Sequence, residues 1–231
     1  MDKIVMLARK YESNGNPACV SAGTGDLGGI SYGTYQLSSN AGSLQSFLAF
    51  AREYEDKALA NYGTVLSDLP INSEAFISLW KDLGTIDPEG FGKLQDEYAK
   101  AQYYDKACAL LTDACYQADK HTEAMQAVIM SRAVQYGAGN MVELFTEAVN
   151  RLGHPNLSYV DDAYFDRQMI DAIYGFLIDE CEAAYGCCRP TGLYHSPKDW
   201  VNGSKDVVYG LENRFQHERQ DAMDMLVASK E

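Results

Sequence analysis

Nowhere do the 231 residues hold an apolar run near the ~18 residues a membrane-spanning helix needs, so a helical membrane protein is excluded. Basic residues are scarce. Nineteen Lys and Arg stand against 33 Asp and Glu, a net charge of −14, and no Lys/Arg stripe offsets it. Such a field repels phosphate backbones, which argues against a nucleic-acid ligand. The four histidines, at 121, 154, 195 and 217, show no ligand spacing, and the six cysteines form no CxxC pair. Cys108 and Cys115 are seven residues apart, two turns along one helix face, too far to bridge readily. Reduced, partly buried thiols are expected, with a disulfide or a metal around Cys181, Cys187 and Cys188 as the alternative. Met1-Asp2-Lys3-Ile4 opens no basic region followed by an apolar stretch, so no secretory signal is read and synthesis in the cytoplasm is expected.

What is present is an ordinary globular composition, 46% hydrophobic and 11% aromatic. A chain this long buries about 70% of its unfolded surface without a disulfide staple. Ile4, Leu7, Ala8 and Tyr11 follow the helical i, i+3, i+4, i+7 spacing, which predicts a helix over 3–12 that Asn14-Gly15-Asn16-Pro17 ends. Residues 18–40 are crowded with glycine and carry Ile30-Ser31-Tyr32-Gly33-Thr34-Tyr35-Gln36-Leu37, the composition of a short hairpin or irregular loop. Helices are then expected at 43–61, 73–83, 88–102, 104–117, 122–136, 140–152, 162–184 and 206–228. Asp87-Pro88 reads as an N-cap with proline at the first helical position. Phe165, Met169, Ile173 and Phe176 make one apolar stripe, and Val208, Leu211, Phe215, Ala222 and Met225 another. The Gly-, Pro- and Ser-rich stretch 186–205 reads as a connector. The class is mainly α, with one small Gly-rich hairpin near the start.

Glu12 draws attention for a physical reason. It lies one turn beyond Ala8, at the edge of the buried stripe, and at the tail of its helix. Partial desolvation and the negative end of the helix dipole both favour the neutral carboxyl that a general acid needs.

The order Glu12-Ser13, polar loop, glycine-rich turn, then Tyr32-Gly33-Thr34-Tyr35-Gln36-Leu37 resembles the signature of lysozyme-like glycosidases. These include lytic transglycosylases, goose-type lysozymes, chitosanases and phage-type endolysins. Gln36 follows Glu12 by 24 residues, close to the spacing in those families. Asp26, within Gly23-Thr24-Gly25-Asp26-Leu27-Gly28-Gly29, stands where chitosanases and phage-type lysozymes keep a second carboxylate. Ser131-Arg132-Ala133-Val134-Gln135-Tyr136-Gly137 resembles, loosely, a segment those enzymes set across the cleft.

The resemblance implies one lysozyme-like domain over 1–231, with a two-lobed form hinged near 120–140 as a variant. It implies a peptidoglycan hydrolase without cofactor or metal, acting as a monomer at the bacterial wall after release. Glu12 would be the acid and Asp26 the base of an inverting reaction, which places the two carboxyls roughly 6.5–9.5 Å apart. Ser31 and Thr34 would position water, Tyr35 would stack on sugar, and Gln36, Gln135 and Tyr136 would line the cleft. A lytic transglycosylase needs no second carboxylate and is the near alternative, with chitosan as the alternative substrate. A Cys19-based peptidase is disfavoured because Pro17-Ala18-Cys19-Val20 lacks the surroundings of an activated thiol. A non-catalytic wall-binding or structural protein of the same fold is the remaining reading. Trp80, Tyr103 and Tyr104 read as core, and Arg214 with Glu218 as a surface or inter-helix ion pair.

Overall fold

A computed structural model describes residues 2–21, 29–187 and 191–228, in two compact units. One comprises Ala8–Asp105, the other Met1–Leu7 with Lys106–Glu231.

The Ala8–Asp105 unit takes most of helix α1 (Met6–Ser13), the hairpin β1 (Ser31–Tyr32) and β2 (Leu37–Ser38), and helices α2 (Ser43–Arg52), α3 (Lys57–Ser67), α4 (Glu74–Ile86) and α5 (Pro88–Ala99). A π-helical turn, Lys100–Tyr104, prolongs α5. The hairpin pairs Ser31 with Ser38 and Tyr32 with Leu37. Its core is aromatic. Trp80 is fully buried, with Tyr32, Phe47 and Phe91 packed edge-on at 5.2, 5.5 and 4.9 Å between ring centroids. Burial of each such ring contributes about 1.5–3 kcal/mol, and their edge-to-face geometry adds to it.

Two polar links tie the irregular N-terminal segment to this core. The Trp80 indole and the Gln95 amide both donate to the Pro17 carbonyl, at 3.0 and 3.1 Å. Gln95 in turn accepts from the Thr34 backbone N–H at 2.9 Å. Gly33, at φ +70°, occupies the turn where a Cβ would collide with the Gln95 carboxamide. Gly84 lets α4 approach so closely that a Cβ would lie 2.5 Å from the Ala18 backbone.

In the other unit, α6 (Asp105–Asp113) leads to α7 (Glu123–Tyr136), α8 (Met141–Arg151), α9 (Asp166–Tyr185), a second hairpin of β3 (Tyr194–His195) and β4 (Asn202–Gly203), and α10 (Lys205–Ala228). A 3-10 turn at Lys3–Val5 also belongs here and packs on α7. From Ala124 to Ala133 nearly every residue of α7 is buried, so this helix is enclosed on all sides and forms the unit's centre. Helices α9 and α10 pack against each other along the stripes expected from sequence, with Met169, Ile173, Phe176, Val208, Phe215 and Ala222 buried.

The expected helix over 43–61 is two helices. Asp56 breaks it by accepting hydrogen bonds from the Ala58 and Leu59 backbone N–H groups, which starts α3 afresh. The expected 104–117 helix stops at Asp113, and Cys115 has φ +67°. The 186–205 stretch is not a plain connector. Fully buried Ser196 donates its N–H to the Val201 carbonyl at 2.7 Å and closes the second hairpin. The Asp87-Pro88 start stands as read, with Asp87 accepting from the Gly90 N–H at 2.9 Å. Among the described residues, Cys19, Cys108, Cys115, Cys181 and Cys187 form no disulfide. Burial, aided by Glu212, Glu180 and Glu182, pushes the Cys181 thiol up to about 12.

Candidate functional site

The last turn of α1 carries Glu12, half-buried. Past it, Asn14 and Gly15 take positive φ, at 53° and 69°, and the Gly15 N–H returns to the Arg9 carbonyl at 2.8 Å. This left-handed exit ends the helix while satisfying one of its last carbonyls. Arg9, three residues before Glu12, reaches the Gly15 carbonyl at 3.3 Å through Nη2 and Asp96 Oδ2 at 3.0 Å through Nη1. The other Asp96 oxygen accepts from the Tyr35 hydroxyl at 2.8 Å. One buried carboxylate on α5 therefore holds both the helix that carries Glu12 and the turn between β1 and β2.

The Glu12 charge is felt by two tyrosine phenols. Burial holds the Tyr35 phenol well above its ordinary range, with the Asp96 charge second and the Glu12 charge among the smaller contributors. The Tyr103 phenol is raised by burial and then by Glu12. Asp96 is itself raised, because burial outweighs the opposing pull of Arg9. Glu12, itself half-buried, thus contributes to the electrostatic surroundings of two tyrosines.

Of the other residues expected to act, Ser31 is half-buried and its N–H donates to Ser21 Oγ at 3.0 Å. Gln36, at φ +50°, is half-buried and its amide donates to the Gly33 carbonyl at 3.1 Å. Two expectations are corrected. Thr34 has no exposed surface, so its side chain cannot hold solvent water, and its N–H serves Gln95 instead. Tyr35 is only 6% exposed and is held by Asp96, so it offers no open ring face for sugar. Asp26 lies outside the described residues.

Gln135 and Tyr136 belong to the other unit. Gln135 is half-buried and accepts from Arg132 Nη1 at 2.5 Å. The Tyr136 ring packs edge-on against Trp200 at 5.1 Å, and burial raises its phenol first of all. Gln135 ends a buried network that sequence reading missed, and the Tyr136 ring lies 6.0 Å from the guanidinium of its Arg132. Arg132 and Glu218, each fully buried, pair at 2.5 Å, and Glu218 also accepts from Ser131. Arg214, expected to pair with Glu218 at the surface or between helices, does pair with it, at 3.3 Å, and is secondary to Arg132. A signal was available: Glu218 falls on the apolar stripe between Phe215 and Ala222. A charge inside an apolar stripe demands a buried partner.

Among the described residues, no group of His, Cys, Asp or Glu could hold a metal ion, and no helix is long and apolar enough to cross a membrane.

Two solved structures are similar in fold. A native chitosanase from Bacillus subtilis MY002 aligns with a TM-score of 0.56 and 17% identity, over 96% of this chain and 88% of that one. A glutamate-to-alanine mutant of a chitosanase from the same source, complexed with 6 GlcN, aligns equally well, with a TM-score of 0.56 and 17% identity. The chain has the mainly α, lysozyme-like fold of these enzymes. The type VI secretion system spike protein VgrG3 of Vibrio cholerae serotype O1 (strain ATCC 39315 / El Tor Inaba N16961) is 31% identical over 131 residues, 56% of this chain. That match spans only 12% of the Vibrio protein's length. Residues 5–219 match the family described as type VI secretion system spike protein VgrG3-like, C-terminal. The chain therefore belongs to the VgrG3-like, C-terminal family of type VI secretion system spike proteins.

Proposed function

We propose that this chain is a glycosidase module that cleaves β-1,4 bonds of peptidoglycan, with Glu12 as proton donor. The observation that carries the reading is the place of Glu12: half-buried at a helix tail, on the helix that Arg9 and Asp96 tie to the turn between β1 and β2, in a fold shared with chitosanases. Such a carboxyl can pass its proton to the leaving glycosidic oxygen, while positive charge develops on the sugar ring. Asp26 is the base in this proposal. It takes a proton from a water on the opposite face of the ring, so the anomeric centre inverts. Ser31 and Gln36 offer hydrogen bonds to the sugar. Carriage on a secretion spike would bring the module to the wall of a bacterial cell.

Chitosan is the second reading. The neighbour complexed with 6 GlcN and the net charge of −14 favour it, because a cationic polymer is drawn to an acidic surface. The family match also favours a third, a spike component without catalysis.

Mass spectrometry of products from purified peptidoglycan and from chitosan separates these. Saccharides with free reducing ends from peptidoglycan support the proposal. Anhydro ends would replace Asp26-assisted hydrolysis with transglycosylation, products from chitosan alone would move the substrate, and no product from either would leave the non-catalytic reading.

A further inference from the structure

Between α8 and α9, the 152–165 segment of the Lys106–Glu231 unit builds a display of aromatic rings that the Glu12 site does not use. Gly153, at φ +76°, ends α8, and the His154 N–H returns to the Val149 carbonyl at 3.2 Å. Two short 3-10 turns follow, Leu157–Val160 and Ala163–Phe165. Each is capped by its own side chain: Asn156 accepts from the Ser158 N–H at 3.1 Å, and Asp162 from the Tyr164 N–H at 2.8 Å. Leu157 and Val160 are buried and pin the segment.

On this frame four rings form a continuous row. Tyr159 stacks on His154 at 5.9 Å and 18°, His154 meets Phe165 edge-on at 5.8 Å, and Phe165 meets Tyr164 edge-on at 5.2 Å. The two ends face water: Tyr159 is 55% and Tyr164 78% exposed. A lone exposed apolar residue needs no account, but a linked row of rings held by capped turns, with its ends in solvent, marks a binding surface.

We infer that this row, built from residues that the Glu12 site does not use, is a second polysaccharide-binding platform, for a neutral or cationic glycan strand. The choice of a glycan rests on the glycosidase reading above, and three observations favour it. A sugar ring has one apolar C–H face and a rim of hydroxyls, which suits flat amphipathic rings with polar groups beside them. Asn156, Ser158 and Asp162 are exposed and supply such groups. The net charge of −14 disfavours polyanions and anionic lipid surfaces as alternatives. The platform keeps the domain on an insoluble polymer between cleavages.

The test measures binding and turnover separately. The full chain and its Tyr159→Ala/Tyr164→Ala double variant are each made in a Glu12→Gln background, so that the polymer is not consumed, and sedimented with purified peptidoglycan. The double variant should bind about tenfold more weakly. Tyr159→Phe/Tyr164→Phe should keep most of the affinity, because the rings remain. With Glu12 intact, turnover of a short soluble oligosaccharide should not change between Tyr and Ala forms. Equal binding by the Tyr and Ala forms, or no binding by either, overturns the inference. So does sedimentation-velocity evidence that the row instead joins two copies of the chain. Differential binding by a protein that cleaves nothing would remove the glycosidase reading and leave the platform standing. Cleavage with equal binding would do the reverse.

Discussion

Tyr35 and Asp96 meet through a 2.8 Å hydrogen bond, and the Asp96 oxygen that Tyr35 leaves open is taken by Arg9 at 3.0 Å. A single carboxylate on α5 therefore joins the turn between β1 and β2 to the helix bearing Glu12. Three residues at 9, 35 and 96 set the position of a fourth.

This clamp predicts a positioning effect. Asp96→Asn should lower kcat about tenfold while KM moves little, because small displacements of a reacting group cost rate more than binding. Steady-state kinetics on soluble wall fragments checks it. Tyr35→Phe, which removes only the hydroxyl, should lie between Asp96→Asn and the parent. Equal loss in KM and kcat across the set would show a general loss of structure instead.

The Arg132–Glu218 pair makes a stability prediction. Both side chains are fully buried, and Ser131 satisfies the other Glu218 oxygen. Glu218→Gln leaves the Arg132 charge uncompensated and should cost about 3–5 kcal/mol in urea unfolding. Replacing both partners together, as Arg132→Met with Glu218→Leu, should recover most of that loss, since no buried charge is then left unpaired.

Acid sensitivity follows from Asp161. Burial alone would raise its carboxyl, but the Gln117 N–H at 2.6 Å and the Lys120 ammonium at 2.6 Å outweigh burial and hold it below the ordinary range. A carboxyl depressed in the folded state adds stability above its unfolded value, about pH 4, and loses that contribution as pH falls through the folded value. Asp161→Asn should therefore melt about 3 °C below the parent at pH 7, and the gap should close as pH falls through the folded value of the Asp161 carboxyl. Melting curves at stepped pH read this directly.

Much of the fold was legible because the signals are local. The Asp87-Pro88 helix start, the two stripes of α9 and α10 and the glycine-rich hairpin each announce themselves within a few residues. The break at Asp56 was not read, since the apolar pattern runs on past it and only the cap geometry shows a new helix beginning. At the site, Glu12 is marked by its place at a helix tail, and it lies half-buried in the last turn of α1. The roles of Thr34 in holding water and Tyr35 in stacking on sugar come only from the resemblance to lysozyme-like glycosidases, which carries no information on their burial. Their burial depends on Gln95 and Asp96, 61 residues further along the chain, a distance that no local pattern spans. The same holds for Ser131 and Arg132, whose partner Glu218 is 87 and 86 residues away.

The most direct test of the account is the turnover of Glu12→Gln on purified peptidoglycan, with binding and melting measured on the same preparation. A carboxamide of the same shape cannot donate the proton, so turnover should fall at least ~100-fold while wall binding and melting temperature stay near the parent's. Turnover equal to the parent's would contradict the central claim that position 12 is the acid.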